Sequence, residues 1–191
     1  MCIPRAQWNK GQIATIDSMK RIKEILPYPW LLAHPDSGSE FINKMAFDWC
    51  EEQKIKYVRS RSGRKNDNMY VEERNGHVIR KMVEYINLDC EEVVSVLNDY
   101  YDVMTPYLMH FVCVRRMIGK EKNKSKYIRM YEKIPKTPYQ RILEHQFVSK
   151  EIKKRLMLEH SKLNPMILKQ EMAKKLKKVY DVQRQFGNKR D

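Results

Sequence analysis

The sequence predicts an α/β domain followed by a basic region that is mostly helical. Segments with helical and strand-like periodicity alternate over about the first 85 residues, an order typical of α/β domains. Hydrophobic residues make up 42% of the 191 residues, which suffices for a packed core. Residues 1–114 carry 15 lysines and arginines against 16 acidic residues, whereas residues 115–191 carry 23 against 8. The excess positive charge therefore lies in the last 77 residues.

The α/β part is predicted to consist of three helices that alternate with two strands. Isoleucine and methionine recur at helical spacing from about residue 13, and Pro27 ends that run. The apolar run Trp30–Ala33 indicates a buried strand, and the alternation over residues 55–60 indicates a second one. Further helices are expected over residues 39–53 and from Asn68, whose side chain can cap a helix, to about residue 85.

The basic region is predicted to hold three helices, with an irregular segment between the first and the second. The first helix begins near Glu91 and ends before Pro106, and residues 120–138 follow without a regular pattern. The last two helices are expected over residues 149–158 and 165–186. The final helix has an apolar stripe opposite a row of lysines: Lys169, Lys174, Lys175, Lys177 and Lys178. The sequence thus predicts one domain over residues 1–89 and a second region over residues 90–191.

The charge of residues 115–191 favours DNA as a partner. Each lysine or arginine that neutralises a phosphate releases a counterion, so such contacts give affinity without sequence specificity. Tyr127, Tyr131 and Tyr139 lie among these cations, where aromatic rings can stack on bases or anchor the segment to a core. The alternative is a solvated tail with a lysine-rich face, or a final helix that pairs with a partner subunit.

Several classes of protein are excluded by the composition. No apolar run approaches the ~20 residues of a membrane span, and the N-terminal residues lack the apolar core of a signal peptide. The four cysteines are dispersed without the spacing of a zinc site, so reduced thiols are expected. We therefore expect a protein of the cytoplasm or nucleoid with no membrane partner.

Asp36 and Glu72 form the candidate catalytic pair. Asp36 follows the first predicted strand and Glu72 lies on the third predicted helix, with 35 residues between them. A pair of carboxylates held in one site can carry divalent metal ions for phosphodiester chemistry. Considered singly, Asp36 also fits a turn and Glu72 a solvated helix surface.

The segments around both acids resemble one family of DNA-processing enzymes. They are Asp36-Ser37-Gly38-Ser39-Glu40-Phe41-Ile42-Asn43, Arg59-Ser60-Arg61, Lys65-Asn66-Asp67-Asn68 and Val71-Glu72. The resemblance continues beyond them through Lys120-Glu121, Lys136-Thr137-Pro138-Tyr139-Gln140-Arg141-Ile142-Leu143 and Leu163-Asn164-Pro165. With them the chain resembles the catalytic core of the retroviral-type integrases and DDE transposases, and in particular bacterial insertion-sequence transposases with an integrase core domain. The resemblance implies a ribonuclease H-like fold and magnesium-dependent cleavage and transfer of DNA strands.

The resemblance also implies roles for individual residues. Asp36 takes the place of the second aspartate of the family and Glu72 that of the glutamate, both ligands of Mg²⁺ or Mn²⁺. A loop with four cations is expected either to hold DNA phosphates beside them or to be a plain solvated turn; the cations are Arg59, Arg61, Arg64 and Lys65. The lysine-rich face of the final helix, and not the resemblance, is the basis for expecting Lys174, Lys175, Lys177 and Lys178 to line DNA; the alternative is that this helix pairs with a partner subunit.

One carboxylate of the family's triad has no counterpart here. The first aspartate of the family lies on the first of three antiparallel strands before a helix, and three strands need at least about 20 residues. Only residues 1–10 precede the first predicted helix, and the sole acids before Asp36, Asp17 and Glu24, fall within that helix. We therefore expect a core that lacks its first three strands and is inactive alone, because without the first aspartate its metal affinity and its stabilisation of the transition-state charge should both fall sharply.

Two functional classes follow from the sequence. The first is an enzyme of mobile DNA that acts on transposon ends and target DNA, as a homo-oligomer or together with an N-terminal transposase fragment. The second is a non-catalytic or vestigial protein that binds DNA or transposase subunits.

Overall fold

The computed structural model describes residues 2–35, 44–58, 78–84, 86–123 and 126–188. The helices in these ranges are α1 (Gln12–Ile25), α2 (Lys44–Glu52), α3 (Arg80–Val83), α4 (Glu92–Phe111), α5 (Pro138–Glu144), α6 (Lys150–Ser161) and α7 (Pro165–Phe186). The strands are β1 (Leu32–Ala33), β2 (Lys56–Tyr57), β3 (Met117–Asn123) and β4 (Lys126–Tyr131). Among the described residues, no helix is long and apolar enough to cross a membrane.

The chain divides into two compact units. The strand-pair unit comprises Ile3–Asp102 and Met172–Asp191, and the hairpin unit comprises Met1–Cys2 and Val103–Glu171. The helices α4 and α7 each contribute residues to both units. The sequence predicts a boundary between residues 89 and 90, where the resemblance ends the integrase core and the basic region begins. This boundary stays a prediction.

The strand-pair unit begins with a helix, a strand, a helix and a strand, as the periodicity predicts. The strands β1 and β2 are parallel, with Leu32 opposite Lys56 and Ala33 opposite Tyr57. The helix α2 connects them, which makes a βαβ unit. Ala33 is buried as expected, but Leu31 is 74% exposed, so the expectation of a buried strand holds for only part of the run.

A small apolar core joins α1, α2 and the strand pair. Its buried members are Ile16, Met19, Ala33, Trp49, Cys50 and Ile55. Trp30 packs edge-on against Trp49, with ring centroids 6.3 Å apart. The helix α1 therefore uses one face for packing, while Ile13 at its start stays exposed. The ribonuclease H-like fold implied by the resemblance remains a prediction.

Polar contacts hold the later helices within the strand-pair unit. The hydroxyl of Tyr100 donates to the carbonyl of Met82 at 2.9 Å, and burial raises the pKa of Tyr100 to about 12. The amide of Gln183 donates to the carboxylate of Asp89 at 2.6 Å. Contacts of this kind attach the last turns of α7 to the segment that precedes α4.

The helix α4 passes through Pro106, and the prediction that it ends before this residue is wrong. Proline removes one backbone hydrogen bond and costs a helix interior ~3 kcal/mol. Met104 lies before Pro106, and Leu108 and Met109 lie after it; all three are buried. Since a fully buried side chain of this size contributes ~1.5–3 kcal/mol, burial on both sides of the proline outweighs the lost bond.

The hairpin unit contains an antiparallel hairpin where the sequence predicts an irregular segment. Strands β3 and β4 pair from Met117 opposite Tyr131 to Asn123 opposite Lys126, with a bulge between Met117 and Gly119. The prediction of irregular structure over 120–138 is therefore wrong for residues 120–123 and 126–131. Tyrosine and isoleucine favour strands, but the lysines between them hide the alternation.

The two helices predicted at the end of the chain are confirmed. Ser149 caps α6 by accepting a hydrogen bond from the backbone of Ile152, and α6 runs three residues past the expected end, to Ser161. The helix α7 has the bounds that the sequence predicts. Before them, Thr137 and Gln140 form a capping box at the start of α5.

Candidate nucleic-acid interface

The predicted catalytic residues and loop cations lie outside the described residues. These are Asp36, Glu72, Arg59, Arg61, Arg64 and Lys65, and their roles stay predictions. These residues belong to two segments, 36–43 and 59–77, and the described residues just before each segment show where it starts. The backbone N–H of Val58 donates to the carbonyl of Ala33 at 2.9 Å, just beyond the ends of the two parallel strands. Asp36 comes three residues after Ala33 and Arg59 directly after Val58, so both segments start from the carboxyl edge of this pair, where α/β sheets bind ligands.

The described residues contain no metal site of their own. Among them, no group of three or more His, Cys, Asp or Glu side chains is placed to hold a metal ion. The acids before Asp36 lie on α1, as predicted, and both face water. Asp17 pairs with Lys20 at 3.6 Å and Glu24 pairs with Arg21 at 3.0 Å. These two carboxylates are therefore engaged in exposed ion pairs on a helix.

Three of the lysines predicted to line DNA, Lys174, Lys177 and Lys178, lie along the outer side of α7, whereas Lys175 lies toward its buried side. Lys174, Lys177 and Lys178 are exposed and Lys175 is partly buried. Met172 and Val179, seven positions apart, are buried on the opposite side. Among the described residues, none of the four lysines has a carboxylate oxygen within 4.0 Å. Their charge is available to a phosphate, and their contact with DNA stays a prediction.

The β3–β4 hairpin presents a second basic surface. Residues that pair across an antiparallel ladder share a face, so Lys120 and Arg129 lie beside Lys122 and Tyr127. We call this set the basic face. All four side chains are exposed, and Lys120, Tyr127 and Arg129 line an open depression. The opposite face carries the single acid of the ladder, Glu121, so the basic face holds three cations and no carboxylate.

An ion pair fixes the base of the hairpin to α5. The guanidinium of Arg141 donates to both carboxylate oxygens of Glu132 at 2.8 and 2.6 Å, and to the carbonyl of Val114 at 2.7 Å. The backbone N–H of Arg116 donates to the same carboxylate at 3.1 Å. The hydrogen bond from Arg141, followed by that from Arg116, lowers the pKa of Glu132 to about 2. Glu132 thus stays ionised over the whole neutral range and holds both ends of the hairpin.

Sequence reasoning noticed Tyr127 and the cations but missed the face on which they meet. The signal is a period of two: lysine at 120 and 122, then tyrosine or arginine at 127, 129 and 131. Such alternation indicates a strand. A search for alternating apolar residues does not detect this strand, because the residues that repeat on one face are charged and aromatic rather than aliphatic.

Part of this chain is similar in sequence to a known protein. Uncharacterized protein y4rM of Sinorhizobium fredii (strain NBRC 101917 / NGR234) is 32% identical over 106 residues. The match covers 56% of this chain and 30% of that protein, so the chain spans under a third of its length. No family model and no solved structure matches the chain.

Proposed function

We propose that this chain belongs to a DNA integration and transposition protein of the DDE transposase and integrase family. The observation that carries the proposal is the pair Asp36 and Glu72, which have 35 residues between them and lie in motifs that resemble that family. The parallel strands β1 and β2 support it, because the segments that contain Asp36 and Arg59 start from one sheet edge. DNA is then the partner, the nucleoid the location, and a second copy or an N-terminal transposase fragment a further partner.

The proposed roles follow from charge and position. Asp36 and Glu72 would bind Mg²⁺ or Mn²⁺, which supplies Lewis-acid stabilisation of the charge that develops on the scissile phosphate. Arg59, Arg61 and their neighbours Arg64 and Lys65 would hold backbone phosphates beside that pair. The exposed lysines of α7 would add affinity that depends on salt and not on sequence.

A second candidate is a DNA-binding protein without catalysis. It is favoured by the exposed lysines of α7, which among the described residues have no carboxylate oxygen within 4.0 Å and can neutralise phosphates without a metal ion. It shares the basic surfaces with the first candidate and differs in having no metal-dependent step. The two candidates are therefore separated by metal binding and product formation, while DNA affinity is common to both.

Titration with Mn²⁺, followed by electron paramagnetic resonance, tests the metal site. We expect Asp36→Asn and Glu72→Gln each to weaken Mn²⁺ binding at least about tenfold, since even outer partners of metal ligands are worth that much. The matched controls Asp67→Asn and Glu73→Gln remove neighbouring carboxylates and should bind Mn²⁺ like the wild type. Equal binding by all four variants would remove the basis of the catalytic proposal.

A strand-transfer assay with Mg²⁺ tests whether the chain alone is catalytic. The wild-type chain is incubated with a labelled DNA end and a supercoiled target, and joined products are resolved on a gel. We expect DNA binding without joined product from the chain alone. Product that disappears in Asp36→Asn would establish the catalytic candidate and contradict the expected inactivity. Metal binding that is insensitive to Asp36, together with DNA binding, would favour the second candidate.

A further inference from the structure

The basic face of the β3–β4 hairpin has the chemistry of a nucleic-acid contact. Lys120, Lys122 and Arg129 are exposed and, among the described residues, have no carboxylate within 4.0 Å. Phosphate groups would complement these charges. A second copy of the same face would repel them, because the face carries no acid. Charge complementarity therefore favours a polyanion over self-association through this surface.

The exposed ring of Tyr127 on this face favours an unpaired base as the partner. Tyr127 is 67% exposed and lies between Lys122, its partner across the ladder, and Arg129, two positions along β4. An exposed ring flanked by cations is the arrangement in which a base stacks while its own backbone is neutralised. The bases of a duplex are already stacked on one another, so their faces are not available to such a ring.

The hairpin is held ready for this contact. Glu132 receives two hydrogen bonds from Arg141 and one from the backbone of Arg116, which ties the end of β4 to the residue before β3 and to α5. The backbone N–H of Glu132 also donates to the carbonyl of Arg116 at 3.0 Å. A surface fixed before binding loses less conformational entropy when the partner arrives. Tyr127 and the three cations are thus presented on a preorganised strand pair.

We propose that the basic face of the hairpin binds a single-stranded DNA segment, with Tyr127 stacked on an unpaired base and Lys120, Lys122 and Arg129 on its phosphates. This deepens the proposed function by assigning a surface to one form of its DNA partner. It rests on that function only for the choice of DNA, because the contact needs neither metal nor Asp36 and Glu72.

Fluorescence anisotropy with a labelled oligothymidine and a duplex of equal length, both without metal, tests the proposal. Stacking is worth about 1–3 kcal/mol per base, so Tyr127→Ala should weaken single-strand binding between about fivefold and 150-fold. Tyr127→Phe keeps the ring and should bind like the wild type. The control Lys126→Gln removes a cation from the opposite face of the hairpin and should have a much smaller effect than Tyr127→Ala.

The salt dependence tests the phosphate contacts. Each contact with a single strand contributes about 0.7 to the slope of log affinity against log salt, so Lys120→Gln, Lys122→Gln and Arg129→Gln together should lower it by about 2. Circular dichroism of each variant establishes that it is folded. Because these side chains are exposed, their replacement leaves the packing intact.

Three results would overturn the proposal. In the first, Tyr127→Ala binds single strands like the wild type while the cation variants weaken binding, which would indicate plain attraction to an acidic partner. In the second, Tyr127→Ala weakens single-strand and duplex binding equally. In the third, the wild type binds neither form. The Mn²⁺ titration of Asp36→Asn is independent of all three, so failure here leaves the proposed catalytic function to be decided separately.

Discussion

Protonation of the buried His110, which pairs with His160 in the hairpin unit, should destabilise the fold at mildly acidic pH. His110 on α4 and His160 on α6 approach through their Nδ1 atoms at 3.2 Å. One ring donates and the other accepts, so at least one must be neutral. Tyr139 stacks on His160 with ring centroids 4.4 Å apart and packs on His110 at 4.9 Å. His110 is 5% exposed and its ring contacts are aromatic, so a second positive charge there would be poorly solvated.

The size of the effect follows from the pKa of His110. Burial first, and then the neighbouring His160, lower that pKa from 6.5 to about 4. The unfolded chain binds a proton on His110 more tightly than the folded chain does. The stability gained by burying neutral His110 is therefore fully present above pH 6.5 and is lost as the pH falls toward 4. At 1.36 kcal/mol per pKa unit the full difference is about 3 kcal/mol. His160 is partly solvated, which screens the pair, so we expect about half of this loss.

Urea unfolding between pH 5 and 7.5, with an NMR titration of the histidine rings, measures this loss. Glu132 does not interfere in this window, because its lowered pKa makes its contribution fall away only below about pH 4.5. We expect His110→Phe, which keeps an aromatic ring and removes the proton site, to flatten the pH dependence. The control His145→Gln removes an exposed histidine and should retain the wild-type slope. A ring pKa of 6.5 or above for His110, or an unchanged slope in His110→Phe, would refute the reasoning.

Three further predictions concern the Glu132–Arg141 ion pair at the base of the hairpin (the hairpin clamp), the cysteine thiols and the exposed apolar run that leads into β1. Glu132→Gln removes the charged partner of Arg141, so amide exchange along β3 and β4 should accelerate; unchanged protection would contradict the clamp. Cys113 is exposed and should react with a thiol reagent in the native protein, whereas Cys50 should react only on unfolding, since it is buried and burial raises the pKa of its thiol. If Cys50 reacted as fast as Cys113 in the native protein, Cys50 could not be buried in the small apolar core. Leu31→Lys should slow aggregation, measured by light scattering, with a stability change within about 0.5 kcal/mol; an aggregation rate equal to that of the wild type would count against an exposed apolar strand.

The helices were predictable where local signals agree with tertiary packing. In α1, α6 and α7, apolar residues recur at helical spacing and a recognisable residue marks an end, such as Pro27 after α1 or Ser149 before α6. Pro106 gives the opposite case. It is a local stop signal, but burial of the residues on both sides of it keeps α4 continuous, and burial cannot be read from the neighbouring letters alone.

The candidate interface was predictable in composition but not in arrangement. The excess charge and the exposed lysines of α7 follow from counting and from periodicity. The basic face depends on the pairing of Lys120 with Arg129 and of Lys122 with Tyr127, which is set by the register of the hairpin. Glu132 helps to fix that register through its contacts with the backbone of Arg116 just before β3, and Arg141 on α5 holds Glu132 in place. Glu132 and Arg141 are nine positions apart, and no periodic signal in the sequence indicates their contact.

The two basic surfaces should make different contributions to DNA binding. Lysines on α7 are point charges on flexible stems with no aromatic residue among positions 174–178, so they can neutralise phosphates of a duplex or a single strand alike. The hairpin combines cations with the exposed ring of Tyr127 on a strand pair held by Arg141. Charge alone sets a salt-dependent affinity common to both forms of DNA, whereas stacking adds affinity for unpaired bases. Substitution of Lys174, Lys177 and Lys178 should therefore weaken duplex and single-strand binding to a similar degree, and only a change at Tyr127 should alter the ratio between them.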